Sequence, residues 1–228
     1  MLWLQEAGRH TDLNALTRKD VEDYLEHCFY RGNTNETRLT KLVALGRFFR
    51  YLVYEGKINT DVTAQVPRPK LKRKFVQKFT KQEVLRFFTA IDITREKGLR
   101  DACIMLLAVF GGLRAGEIAG LTLQDLIDEG SGSLDIHLVG KFGSERQIYL
   151  WKAPSDLLRR WFAVRLSQGA RAAAPLFTSY RRGCHHRGNR LTIVSLDTLV
   201  KTYARLAGVQ KPKISMHMFR ATHASDLR

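Results

Sequence analysis

Cysteine is scarce in this sequence. Cys28, Cys103 and Cys184 stand far apart in 228 residues, which excludes a disulfide framework and points to a reducing compartment; a cytoplasmic location is expected. Long apolar runs are missing too. The longest candidate, Ile104 to Phe110, falls well short of the roughly 18 residues that span a bilayer. The opening Met1-Leu2-Trp3-Leu4 reaches Glu6 at once and does not read as a secretory signal, so no membrane partner is expected. No internal repeat is visible. Acidic residues are the minority, 22 Asp+Glu against 38 Lys+Arg, for a formal charge of +16 and a sequence pI near 10.1. Such an excess says nothing about fold but makes a polyanion the first partner to consider.

What is present argues for ordinary packed domains. Hydrophobic residues make up 44% of the chain, with 12 Phe, 3 Trp and 7 Tyr, too many for a disordered basic tail. The length accommodates one large core or two modest ones. Thr17 and Asp20 form a capping box ahead of Val21, Tyr24, Leu25 and Cys28 at helical spacing. Gly32 and Asn33 end that helix, and Asn33 with Glu36 is the predicted cap of a second, which carries Leu39, Leu42, Leu45, Phe49, Leu52 and Val53 up to Gly56. Two such helices bury each other poorly, and Leu2 to Ala7 reads as the remnant of another. Between Val66 and Lys81, Pro67 and Pro69 stiffen a run holding Arg68, Lys70, Lys72, Arg73, Lys74, Lys78 and Lys81 with no acid. It reads either as a connector along DNA phosphates or as a solvated linker.

Beyond the connector, Thr80 with Glu83 caps a helix that is expected to turn Val84, Leu85, Phe87, Phe88 and Ile91 inward. Arg100 to Phe110 reads as the buried central helix, and a short helix runs through Ile118. Two strands, Leu134 to Val139 and Arg146 to Leu150, flank a Gly-containing turn that can hold Lys141 forward. Pro154 opens a helix through Leu157, Leu158, Trp161, Phe162 and Leu166. The loop from Tyr180 to Arg190 carries Arg181, Arg182, Arg187 and Arg190; further helices are predicted from Leu196 to Ala207 and from about Met216.

The polar residues that interrupt apolar segments are Arg114, Glu117, Lys141, His217 and Arg220. A cation at Arg114 is costly unless paired or bound to an anion, and by spacing alone it pairs with Glu117 or meets a ligand. His217 and Arg220 share a helix face at i,i+3. Cys184-His185-His186 has no second cysteine pair at suitable spacing, so no metal site is expected. Gly111-Gly112 is no phosphate loop, because no Gly-Lys-Ser/Thr follows.

Three of these segments, in order, resemble the boxes of the tyrosine recombinases, the class of bacterial Xer-type proteins and phage or transposon integrases. They are Gly111-Gly112-Leu113-Arg114-Ala115-Gly116-Glu117-Ile118-Ala119-Gly120-Leu121, Gly140-Lys141-Phe142-Gly143-Ser144-Glu145-Arg146, and Ser215-Met216-His217-Met218-Phe219-Arg220-Ala221-Thr222-His223-Ala224-Ser225. The N-terminal half is similar as well, at Leu13 to Leu16, Thr37 to Gly56 and Pro67 to Lys70.

The resemblance implies a mainly α fold: a helical core-binding domain over residues 1–60, a basic linker over 61–79, and over 80–228 an α+β catalytic domain with a small β-sheet. Double-stranded DNA is the implied partner, together with intact recombinase protomers. Arg114 and Arg220 would clamp the scissile phosphate. Lys141 would donate a proton to the leaving 5′ oxygen, His217 would assist, and Glu117 would position the arginine; no cofactor is implied. Arg38, Lys41, Arg47, Arg50, Arg68, Lys70, Lys72, Arg73 and Lys74 are the expected DNA contacts.

The family's nucleophilic tyrosine follows the second arginine at a spacing that falls beyond Arg228, and none of Tyr24, Tyr30, Tyr51, Tyr54, Tyr149, Tyr180 or Tyr203 takes that position. The chain is therefore expected to be C-terminally truncated and to bind DNA without cleaving it alone. A non-catalytic modulator of intact recombinases and a degenerate remnant are the alternatives. The remnant reading expects uncovered apolar surface near Leu106 and Leu199. Ala221 and His223 depart from the family pattern, where a His and an aromatic are usual.

Overall fold

Helix formation begins where the caps predict it. In the computed structural model, which describes residues 6, 8, 12–72, 77–128, 130, 132–139, 144–180 and 189–226, the Asp20 carboxylate accepts from the Thr17 N–H at 2.8 Å and from its hydroxyl at 2.6 Å. This starts α1, Arg18–Tyr30. Gly32, at φ 77°, turns the chain out, and the Asn33 N–H closes the helix on the Cys28 carbonyl at 3.0 Å. Asn33 is thus committed to α1, and the cap of α2, Asn35–Tyr54, is Thr34 instead of the predicted Asn33; its hydroxyl accepts from the Thr37 N–H.

These helices belong to the first of two units into which the chain divides, Met1–Lys74 and Phe75–Arg228. The first core is small: Val21, Leu25, Leu42 and Val66 form one cluster, and Phe49, Leu52 and Ile58 another. Leu45 and Val62 pack against both. The segment after Gly56 supplies the apolar cover that two helices alone lack. Val53, expected on the inner stripe, is exposed.

The second unit is built around α4, Glu96–Val109, whose residues from Gly98 onward are all buried. It starts a turn earlier than predicted and takes Arg100 and Asp101 into the core. The pair survives burial because each polar atom is satisfied. Asp101 accepts from Arg100, from Lys97 at 2.8 Å and from the Tyr203 hydroxyl at 3.0 Å, while Arg100 also donates to the Thr178 carbonyl at 2.6 Å.

Before α4 comes α3, Lys81–Thr89, with the predicted Thr80–Glu83 box in both directions. Phe87 and Ile91 are buried and Val84 and Phe88 partly so, but Leu85 is exposed. Residues 84, 87, 88 and 91 lie on one helical stripe, and 85 lies off it.

After α4 the chain forms α5 (Ala115–Gly120), a 3-10 turn (Leu123–Asp125) and an antiparallel sheet in the order β1 (Leu126–Ile127), β2 (Leu134–Val139), β3 (Glu145–Leu150). Leu134 pairs with Leu150 and Val139 with Glu145. The two-residue β1 is too short to leave a sequence signal. Then come α6 (Lys152–Ser167), α7 (Ile193–Leu206) and α8 (Met216–Asp226). Pro154 sits inside the first turn of α6, and Leu166 is exposed. Phe79, Phe87 and Phe219 meet ring to ring, with centroids 4.6 to 5.0 Å apart, and the Phe79 N–H donates to Thr222 Oγ1 at 2.9 Å. These contacts fasten α8 to the start of the unit.

The architecture is mainly helical, with a helical first unit and an α+β second unit holding a three-stranded sheet. Of the apolar surface expected near Leu106 and Leu199, both named residues are buried in the core, whereas Ile193, Val194 and Leu206 on the helix that holds Leu199 are exposed. No helix among the described residues is long and apolar enough to cross a membrane.

Candidate phosphate-binding site

The loop Gly111–Arg114 links α4 to α5 and is shaped from below by α8. Gly112 adopts φ 59°, and a Cβ there would lie 2.6 Å from the His223 ring. His223 Nδ1 donates to the Val109 carbonyl at 2.9 Å, and Arg220 Nη1 donates to the Gly112 carbonyl. One face of α8 thus holds the end of α4 at the Val109 carbonyl and the loop at the Gly112 carbonyl. His223 therefore braces the end of α4, and its ring fills the space that a side chain at position 112 would need.

Glu117 collects donors from two elements. Its Oε2 accepts from the Arg114 N–H at 2.7 Å and from Arg146 Nη2 of β3 at 2.7 Å; its Oε1 accepts from Arg114 Nη1 at 2.8 Å. The Glu117 side chain is 17% exposed, whereas Arg114 is 61% and Arg146 39% exposed, so the cluster presents cations to solvent and hides its anion. Burial by itself would raise the Glu117 pKa. The backbone hydrogen bond at Arg114, the Arg114 guanidinium and the Arg146 charge outweigh it and hold the carboxyl below its ordinary value. For Arg220, burial acts first to lower the pKa, the Arg114 charge lowers it further, Glu117 opposes, and Arg146 also lowers it. The guanidinium stays charged throughout. Guanidiniums in this setting suit an oxyanion, which accepts their paired N–H groups.

His217 is exposed on α8, three residues before Arg220. Lys141 lies outside the described residues, as do Arg73, Lys74, Arg181, Arg182, Cys184, His185, His186, Arg187 and, apart from Glu6, the segment Leu2 to Ala7. Arg190 donates to the Ala119 carbonyl at 2.8 Å and supports the end of α5. Among the described residues no group of three or more His, Cys, Asp or Glu is placed to hold a metal.

The basic residues of the first unit fall into two sets. Arg38 is held on α1: its Nε donates to the Leu25 carbonyl at 3.0 Å, and its guanidinium lies 5.3 Å from the Phe29 ring centroid. Lys41 Nζ lies 3.3 Å from Cys28 Sγ and 5.6 Å from the Tyr24 ring centroid. Arg47, Arg50, Arg68, Lys70 and Lys72 are exposed, with the Lys70 backbone pinned by Asn35 Nδ2 on its carbonyl at 2.8 Å. Tyr203 is buried, and burial and the adjacent Asp101 push its phenol up.

Arg146 is the site residue that sequence reasoning passed over. Its signal was present: Arg146, Ile148 and Leu150 occupy the more covered positions of β3, where alternation calls for apolar residues.

Residues 77–228, two thirds of the chain, match the phage integrase family. The chain belongs to that family. The tyrosine recombinase XerD of Listeria monocytogenes is 27% identical over 218 residues, covering 95% of this chain and 71% of the relative. The putative integrase/recombinase y4rC of Sinorhizobium fredii is 29% identical over 207 residues, covering 86% and 58%.

Among solved structures, the XerH site-specific recombinase bound to a palindromic difH substrate superposes with a TM-score of 0.76 at 20% identity, and a lambda integrase dimer bound to a COC' core site with 0.64 at 18%. The match covers 97% and 93% of this chain, but 64% and 57% of those chains. At such identities these neighbours show the integrase fold alone.

Proposed function

We propose that this polypeptide grips double-stranded DNA at a phosphodiester and takes part in DNA integration or recombination. The observation that carries the reading is that Arg220 of α8 donates to the Gly112 carbonyl of the loop that ends in Arg114 and feels the Arg114 charge, in a member of the phage integrase family. Two planar forks that remain charged suit a phosphate whose oxygens gain charge as a pentavalent centre forms. In this reading Lys141 protonates the leaving oxygen and His217 assists. Residues 1–60 and the linker at 61–79 contact DNA, mainly at phosphates, and residues 80–228 carry the chemistry.

The covalent step requires a tyrosine, which breaks the P–O bond and holds the phosphodiester energy in a protein–DNA linkage. Within these 228 residues no tyrosine follows Tyr203, which donates its hydroxyl hydrogen to Asp101 in the core. In this reading the polypeptide of this sequence binds DNA, and the nucleophile comes from outside these 228 residues, for example from an intact recombinase protomer. Incubation with a nicked suicide duplex tests this. The expected result is a retained non-covalent complex that Arg114→Ala weakens. A phosphotyrosyl adduct formed by this polypeptide alone would refute the division of labour, and equal binding by wild type and Arg114→Ala would refute the proposed grip.

A further inference from the structure

Arg146 reaches the site from β3, 29 positions along the chain from the carboxylate that it meets. Three N–H donors converge on the two oxygens of Glu117: the Arg114 backbone, the Arg114 guanidinium and Arg146. Arg220 completes the group: it donates to the Gly112 carbonyl and interacts electrostatically with Arg114, Glu117 and Arg146. Among Arg114, Arg220 and Glu117 one positive unit is left, and Arg146 raises the charge by one more, in addition to whatever Lys141 and His217 bring to the phosphate. A phosphodiester carries one negative charge, and the pentavalent centre formed by attack on it carries two. An added positive charge beside the phosphate stabilises the second species more than the first, which is the condition for catalysis as opposed to uniform binding.

We propose that Arg146 is a positioning residue which, by bracing Glu117 from β3 and adding a further unit of positive charge, biases this arginine cluster toward a doubly charged oxyanion over a singly charged one. It does not itself touch the phosphate. The inference rests on the phosphate-grip reading above, and the test separates the two.

The probes are sulfate, which carries two charges, and dimethyl phosphate, which carries one. Each is titrated at low ionic strength into the full 228-residue chain, with binding read by calorimetry and by the rise in melting temperature. Wild type is expected to favour sulfate by about tenfold, the order of effect of one more charge near a partly exposed site. Arg146→Gln should reduce that preference several-fold. Arg146→Lys, which keeps the charge but not the fork, should retain most of it, and it serves as the folded comparison if the glutamine variant does not fold. Unchanged preference in a folded Arg146→Gln, or loss of preference in Arg146→Lys, would overturn the role in this charge bias. Wild type that binds neither probe would instead remove the phosphate-grip reading. A purely structural role for Arg146 would lower the melting temperature without changing the ratio between the probes.

Discussion

At the scale of single residues, the site depends on groups whose neighbours leave no freedom. Gly112 combines a positive φ with a ring edge where a Cβ would sit. Gly112→Ala should cost about 1–3 kcal/mol and loosen the loop that carries Arg114, which urea denaturation and DNA affinity would both register. Glu117 supports a pH prediction. Its folded pKa is depressed, so its stabilising contribution is present above the ordinary carboxyl value of 4.5 and is lost as pH falls through the lower folded value. Wild type should melt above Glu117→Gln at neutral pH, and the gap should close in acid; a gap independent of pH would show that the ion pairs contribute nothing. Asp101 is fully buried between three donors. Asp101→Ala leaves Arg100 without its counter-charge and should cost about 3–5 kcal/mol in chemical denaturation.

At the scale of elements, caps and amphipathic stripes define most helices, and partners decide which side chains on them remain free. The reciprocal box at Thr80 and Glu83 starts α3. Removing its hydroxyl with Thr80→Ala should destabilise the second unit by about 0.5–2 kcal/mol, seen as a lower urea midpoint with unchanged slope. On α2, Arg38 and Lys41 share a helix with Arg47 and Arg50, yet the first two are engaged with α1. Periodicity shows that all four are polar interruptions. Only the packing of α1 against α2 distinguishes a basic residue that holds the bundle from one that faces solvent. Leu85 is a different case: it is apolar yet lies off the stripe of 84, 87, 88 and 91 and is exposed.

At the scale of the whole molecule, a charge of +16 predicts DNA binding that weakens steeply with salt through counterion release. Reversing two exposed connector charges, Lys70→Glu with Lys72→Glu, should lower affinity across DNA sequences alike. It should also reduce the slope of log affinity against log salt by about 0.9 for each phosphate that is no longer neutralised. Fluorescence anisotropy over about 50 to 200 mM salt measures both; an unchanged slope would take these residues out of the interface.

The sequence by itself determined the helices, because their caps and 3.6-residue stripes are local, and it displayed the three boxes in order, because each is a short continuous run. The mainly helical architecture with a small sheet was legible for the same reason. Only the tertiary structure could decide what lay between distant positions. It set Arg146 of β3 on Glu117 of α5, placed the His223 ring where a side chain at position 112 would need space, buried Leu106 and Leu199, and tied Tyr203 to Asp101. In each case, chain folding sets the distance between two side chains, and a Coulomb or hydrogen-bond energy depends on that distance and on the surrounding burial. A one-dimensional spacing carries neither.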